Sequence, residues 1–174
     1  MAAKPTRRVV LAAAAMLPLA AVSGCDGADV LATPPSPAAD VTVLREAIAA
    51  EQLMITHYTV VLHGAGATAG SLQAALDPLL AEHRAHLAQL RSRLIVPAGG
   101  PAAPRARPSP AATVPATASG GVAFLRAAEQ AAATAMLSRL RGAPASLAQL
   151  FASIGASEAT HVPVLDAAAA RIAR

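Results

Sequence analysis

Apolar residues recur at steps of three and four along four stretches of the chain. In each stretch the apolar run is interrupted near its middle by glutamate or histidine. The first, about residues 41–63, sets Leu44, Ile48, Glu51, Ile55, Tyr58 and Leu62 in line. The second, about 71–95, does so with Leu76, Leu79, His83, His86, Leu90 and Leu94. The third, about 120–141, has Val122, Leu125, Glu129, Ala132, Met136 and Leu140. The fourth, about 145–172, has Leu147, Leu150, Ile154, Glu158, His161, Leu165 and Ile172. This spacing places each set on one face of a helix, and no stretch alternates as a half-buried strand would. Local chemistry supplies the ends. Asp40 or Thr42 is placed to cap the first helix, Ser119 the third, and Gly142 to end the third. Pro144 opens the fourth, and Pro163 falls inside it. Asp77-Pro78 either caps a new start or kinks the second helix.

The connections order these helices. "GAGATAG" joins the first to the second and "GAP" the third to the fourth, and such short links make antiparallel hairpins. Residues 97–118, "PAGGPAAPRARPSPAATVPATA", form a long Pro/Ala/Gly connection between the hairpins. A helix of about 24 residues is ~36 Å long, whereas 22 extended residues reach roughly 70 Å. The connection can therefore run the length of the bundle and leave the second and third helices parallel. Composition agrees with this all-α reading: 55% of residues are hydrophobic but only 2% aromatic, and alanine, the best helix former, dominates.

The first 24 residues stand apart. Lys4, Arg7 and Arg8 precede the apolar run "VVLAAAAMLPLAAV" and the small-residue segment "SGC", the pattern of an export signal. The run is shorter than the roughly 20 residues a membrane span requires. "VSGC" resembles the lipobox of bacterial lipoproteins. That resemblance implies cleavage before Cys25, acylation of Cys25, and anchoring to the outer face of the cell membrane. "TRRVVL" is similar to a twin-arginine signal, the alternative to general export. Residues 26–40, "DGADVLATPPSPAAD", read as a tether, which leaves residues 41–174 for the bundle. Cys25 is the sole cysteine, so no internal disulfide can form. Without the signal, 11 basic residues face 10 acidic ones, a net charge of +1. With no basic run and almost no aromatic residue to stack bases, a nucleic-acid partner is not expected. Protein partners and oligomeric state leave no mark in the sequence.

The interruptions carry the chemistry. A buried carboxylate costs several kcal/mol unless it is paired or bound to a metal. Glu51, His83, His86, Glu129, Glu158 and His161 fall at similar depth on four helices, so they meet at one level of one bundle. Glutamate oxygens and imidazole nitrogens suit iron, manganese or zinc, and no thiolate is there to favour a softer ion. "EATH" places Glu158 and His161 one turn apart on one face, ready to share an ion. His57 and His63 lie off the seam, and His63 suits the negative end of the first helix. Tyr58, two turns beyond Glu51, is a packing residue or a neighbour of the site.

With these residues the chain resembles a ferritin-like di-metal carboxylate bundle. More narrowly, it is similar to the ferritin-like domains of lipoproteins in high-GC Gram-positive bacteria, whose function is uncharacterised. The resemblance implies a ferritin-like four-helix bundle with one long crossover between helices two and three. It also implies iron or manganese held by one glutamate from each of two helices and Glu-x-x-His from each of the others. Glu51 and Glu129 match the lone glutamates, and Glu158 with His161 matches one Glu-x-x-His. Helix two departs from the pattern: in "EHRAH", Glu82 and His86 are four apart, and the seam favours His83 and His86. Glu82 is thus an alternative ligand, and the set leaves open one ion, two ions or none. Three roles follow: an extracytoplasmic metal-binding protein, with or without redox activity; a non-metal bundle serving the cell envelope as an interaction or structural module, its seam polars satisfied as Glu–His and Glu–Arg pairs; or a carrier of apolar ligands, disfavoured by the close packing of alanine-rich helices.

Overall fold

A proline opens the first helix, four residues earlier than the apolar pattern predicts. The computed structural model describes residues 37–64, 69–96 and 113–174. The expected signal, Cys25, most of the tether and most of the long connection lie outside these residues. Helix α1 spans Pro37–Gly64, α2 Ala69–Arg93, α3 Ala118–Ser138 and α4 Ala145–Ile172. There is no strand among the described residues.

The helix ends correct several expectations. The last residues assigned to the tether, 37–40, form the first turn of α1, so neither Asp40 nor Thr42 is its cap. Proline suits a first helical position because its fixed φ is already helical and its missing N–H would bond nothing there. Asp40 lies in that first turn, where a negative charge meets the positive end of the helix. Asp77 caps nothing, because α2 continues through Pro78. The cap of α3 is Thr117, not Ser119: its side-chain oxygen accepts a bond from the Gly120 N–H at 3.2 Å. Helix α3 ends at Ser138, earlier than expected, and a turn follows in which Gly142 takes φ +83°, a conformation open to glycine and unfavourable for other residues. Pro144 precedes α4 as expected, and Pro163 lies inside it.

Two apolar clusters fix the directions of the helices. One joins Val61 of α1, Leu72 and Leu76 of α2, Val122 of α3 and Leu165 of α4. The other joins Leu44, Leu90, Met136 and Leu147 of the same helices in turn. Helices α1 and α4 therefore run from the second cluster toward the first, and α2 and α3 run the opposite way. The hairpins α1–α2 and α3–α4 pack together through α1 against α3 and α2 against α4. Every neighbouring pair is antiparallel, and the parallel pairs lie on the diagonals. Leu94 packs on the second cluster and Val114 on the first, so the chain leaves α2 at one end of the bundle and starts α3 at the other. The protein is an all-α four-helix bundle.

Burial along α1 is centred on Leu44, Ala47, Glu51, Met54, Tyr58 and Val61. Ile48, Ile55 and Leu62 are half-buried on its flank. The expected seam thus ran one residue to the side, through Ile48 instead of the fully buried Ala47. On α4 the expected seam is buried throughout except at its last member, Ile172. Gly155 brings that helix close to α3, since a Cβ there would lie 3.2 Å from Met136 Cβ and 3.3 Å from the Ala133 carbonyl oxygen.

Candidate metal centre

Between the two apolar clusters lies a polar layer. Glu51 follows Ala47 and precedes Met54 on α1, and His83 and His86 lie between Leu80 and Leu90 on α2. Glu129 lies between Leu125 and Met136 on α3, and Glu158 and His161 between Ile154 and Leu165 on α4. All six side chains are buried. Glu82, one residue before His83, has a half-exposed side chain at the rim.

His83 stands at the middle of the layer. Its Nδ1 is 2.8 Å from Glu51 Oε2 and its Nε2 is 2.8 Å from Glu129 Oε1. His161 repeats the arrangement, with Nδ1 3.0 Å from Glu129 Oε1 and Nε2 2.9 Å from Glu82 Oε2. A ring whose two nitrogens both meet ionised carboxylate oxygens carries both protons. Glu129 Oε1 takes a third donor as well, the Tyr58 hydroxyl at 2.5 Å. Glu129 Oε2 has no partner, and neither has Glu158 Oε2. Glu51 Oε1 and His86 Nδ1 approach to 3.4 Å without forming a hydrogen bond. Ser157 Oγ–H donates to Glu82 Oε2 at 2.7 Å, so the rim carboxylate is held from α4 by two groups.

The same contacts set the protonation of the metal-free layer. Burial pushes Glu51 up, but the His83 and His86 rings outweigh it and hold the carboxyl below its usual value. Burial likewise opposes ionisation of Glu129, yet the bonds from His161 and His83 bring it down to about 2. Burial disfavours the charged His83 ring, but Glu129 and Glu51 raise it to about 9. His161 is raised against burial by Glu129 and Glu82. Glu158 goes the other way: burial, then the charges of Glu51 and Glu129, push it up to about 8. Glu51 and Glu129 are thus held in the ionised form, their contacts favour the imidazolium form of His83 and His161, and the third carboxyl keeps its proton at neutral pH. Tyr58 is raised by burial and by Glu129, so it stays a neutral donor. Glu82 is lowered by its bonds from His161 and Ser157.

Most of the sequence-derived set meets in this layer, with one rearrangement. Among the described residues two groups of three offer ligand atoms within 4.8 Å of one another: Glu51, His83 and His86; and His83, Glu129 and His161. Glu158 joins neither. It shares a face with His161, but the His161 nitrogens are turned to Glu129 and Glu82. Among the described residues the expected Glu–Arg pairing is not seen: the hydrogen-bonded partners of these carboxylates are histidines, Tyr58 and Ser157. His57, expected off the seam, is buried with both ring nitrogens unpartnered, edge-on to Phe124 at 4.8 Å between ring centroids. Its spacing does mark it, three residues after Met54 and four before Val61, but the expected seam ran through Ile55 instead of Met54 and so passed it by. His63 is exposed at the end of α1, its Nδ1 2.6 Å from the Thr59 carbonyl oxygen. Ser157 was overlooked, although its place four residues before His161 puts both on one face.

The donor set fits a divalent ion. Bonds of ~2.0–2.2 Å put adjacent ligand atoms of one ion roughly 3.0–3.5 Å apart. Nitrogen–oxygen separations of 2.8, 3.0 and 3.4 Å already occur within the two groups. Glu129 Oε2 and Glu158 Oε2, both unpartnered, supply two more oxygen donors in the same layer. In comparisons with known proteins, no family model, curated protein or solved structure matches this chain.

Proposed function

We propose that this protein is a ferritin-like, carboxylate-and-imidazole metal-binding bundle, exported and held at the membrane by a lipid on Cys25. The observation that carries the metal reading is the polar layer itself. Six buried ionisable groups from all four helices leave four polar atoms without a partner between two apolar clusters. Leaving such atoms unsatisfied costs ~1–3 kcal/mol each, a cost that a bound cation removes. Iron, manganese or zinc suits the donors, and a bound ion would supply a Lewis-acidic or, for iron and manganese, a redox-active centre.

His83 limits the stoichiometry. A neutral imidazole has one lone pair, so His83 serves one of the two groups of three at a time. One ion per chain is therefore expected. Glu51 with His86, or Glu129 with His161, would complete its first ligands, and the neighbouring carboxylates would accept the displaced protons or join as oxygen ligands. Elemental analysis after reconstitution with iron, manganese or zinc is expected to find about one ion per chain, removable by EDTA. At a hundredfold excess over Kd the ion should stabilise the fold by ~2.7 kcal/mol. His83→Ala should abolish uptake. A wild-type content below about 0.1 ion per chain would sink the metal reading.

The proton-balanced network of His83, His161, Glu51 and Glu129 favours a second reading, in which the layer is a closed hydrogen-bonded brace and the bundle serves the envelope as an interaction or structural module. That reading expects no uptake. The anchor has its own support in "VSGC", and no helix among the described residues is long and apolar enough to cross a membrane. Cys25→Ser should move the protein from the membrane fraction to the soluble one. Retention at the membrane would count against the lipid.

A further inference from the structure

A groove runs between α2 and α4, lined by Pro78, Leu79 and Glu82 on one side and Pro163, Ala167 and the cationic Arg171 on the other. Both prolines lie inside their helices. Each lacks the N–H that would bond the carbonyl four positions back, so each weakens its turn. The two weakened turns border the same groove. Glu82 also borders the groove. Its side chain is 49% exposed, yet its Oε2 is 2.9 Å from Nε2 of His161, whose own side chain is 1% exposed. The other His161 nitrogen meets Glu129 inside the layer. One imidazole thus separates a carboxylate that reaches solvent from the buried centre. Among the described ion pairs of the site, every other carboxylate is fully buried.

We propose that Glu82 is the loading ligand of this centre. It takes a hydrated divalent cation from solvent at the α2–α4 groove and passes it by way of His161 to Glu129 and the buried layer. The inference rests on the metal reading above and adds a route to it. The chemistry is ligand exchange. A half-exposed carboxylate attracts the hydrated ion with little desolvation. The ion then binds the His161 nitrogen that faces Glu82 in exchange for one of its own waters, and any proton on that nitrogen leaves to the solvent that Glu82 reaches. Both bonds to Glu82 fall on Oε2, so Oε1 remains for the first contact. Ser157 donates to the oxygen already bonded to His161 and adds no charge. The buried groups set how many ions are held at equilibrium, whereas Glu82 sets how fast they arrive.

The bland alternative is that Glu82, Ser157 and His161 merely brace α2 against α4. Stopped-flow uptake of cobalt(II), whose absorption changes as ligands are captured, separates the two. Glu82→Gln keeps an oxygen acceptor for Ser157 and His161 but loses the charge. It is expected to load about tenfold or more slowly at low salt while reaching the wild-type endpoint. Ser157→Ala loses the brace and keeps the charge, so it should load at the wild-type rate. Glu46→Gln, which removes an exposed charge from α1, should also load normally. Equal rates for Glu82→Gln and wild type would overturn the route, as would equal slowing by Ser157→Ala. A lower cobalt endpoint for Glu82→Gln would make Glu82 a resident ligand and overturn it too. Each of these leaves the metal reading intact. Failure of the wild type to take up cobalt would overturn both.

Discussion

Glu129→Ala is expected to cost the metal-free protein ~3–5 kcal/mol, the usual penalty for removing one partner of a buried charged pair. Glu158→Gln, in the same layer, should cost less than ~1 kcal/mol. The contrast follows from who donates to each carboxylate. Glu129 Oε1 accepts from Tyr58, His83 and His161, and all three donors are buried. Without it, His83 and His161 each keep one carboxylate contact, Tyr58 loses its acceptor, and a cavity is left beside three rings. Glu158 accepts nothing at Oε2, and its raised pKa keeps it uncharged at pH 7. Glutamine has nearly the shape of that neutral acid, and its amide N–H groups can face Glu51 and Glu129. Urea unfolding at pH 7 in EDTA measures both. Equal costs would show that Glu129 is not the hub of the network.

The polar layer was legible in the sequence because four independent apolar periods broke at matching depth. Each break alone had an ordinary explanation. Together, Glu51, His83, His86, Glu129, Glu158 and His161 pointed to one level, and the structure buries all six there. The bundle was legible for a related reason: two short links and one long one admit few arrangements of four amphipathic helices. Partner choice within the layer was not legible. Helical spacing states which face a residue shares, not which way its ring turns. Glu158 and His161 therefore share a face but not a contact, and His161 reaches across to Glu129 and Glu82. Helix ends failed where capping residues competed. Ser119 and Thr117 both suit a cap, and only the backbone at Thr117, extended at φ −84° and ψ 147°, selects between them. His57 failed because the seam was drawn through Ile55 and Leu62, whereas the buried line runs through Met54 and Val61, three and four residues from His57.

Between pH 5 and 9 the metal-free protein is expected to lose stability while its affinity for a divalent ion rises. His83 has a folded pKa of about 9 against 6.5, so folding tightens its hold on a proton. That contribution is complete below pH 6.5 and is lost as the pH passes through 9. At about 1.4 kcal/mol per pH unit it amounts to ~3 kcal/mol. His161 is raised as well and acts in the same direction. Glu158, raised to about 8 from 4.5, contributes most below pH 4.5 and loses that contribution as the pH rises through 8. Glu129, lowered to about 2, contributes fully above pH 4.5, so it does not change within this window. His57, lowered by burial, opposes the trend, since its unfolded form gives up its proton as the pH passes 6.5. Its ring has no charged partner, so its effect is the smaller. The same protons must leave before an ion can bind, which is why metal affinity climbs over the interval where the metal-free fold weakens. Unfolding curves with EDTA and with saturating manganese should therefore diverge from pH 6 to 9. A purely hydrogen-bonded layer would keep the two sets parallel. A metal-free stability that rises over this range would mean that His83 and Glu158 do not hold their protons in the fold.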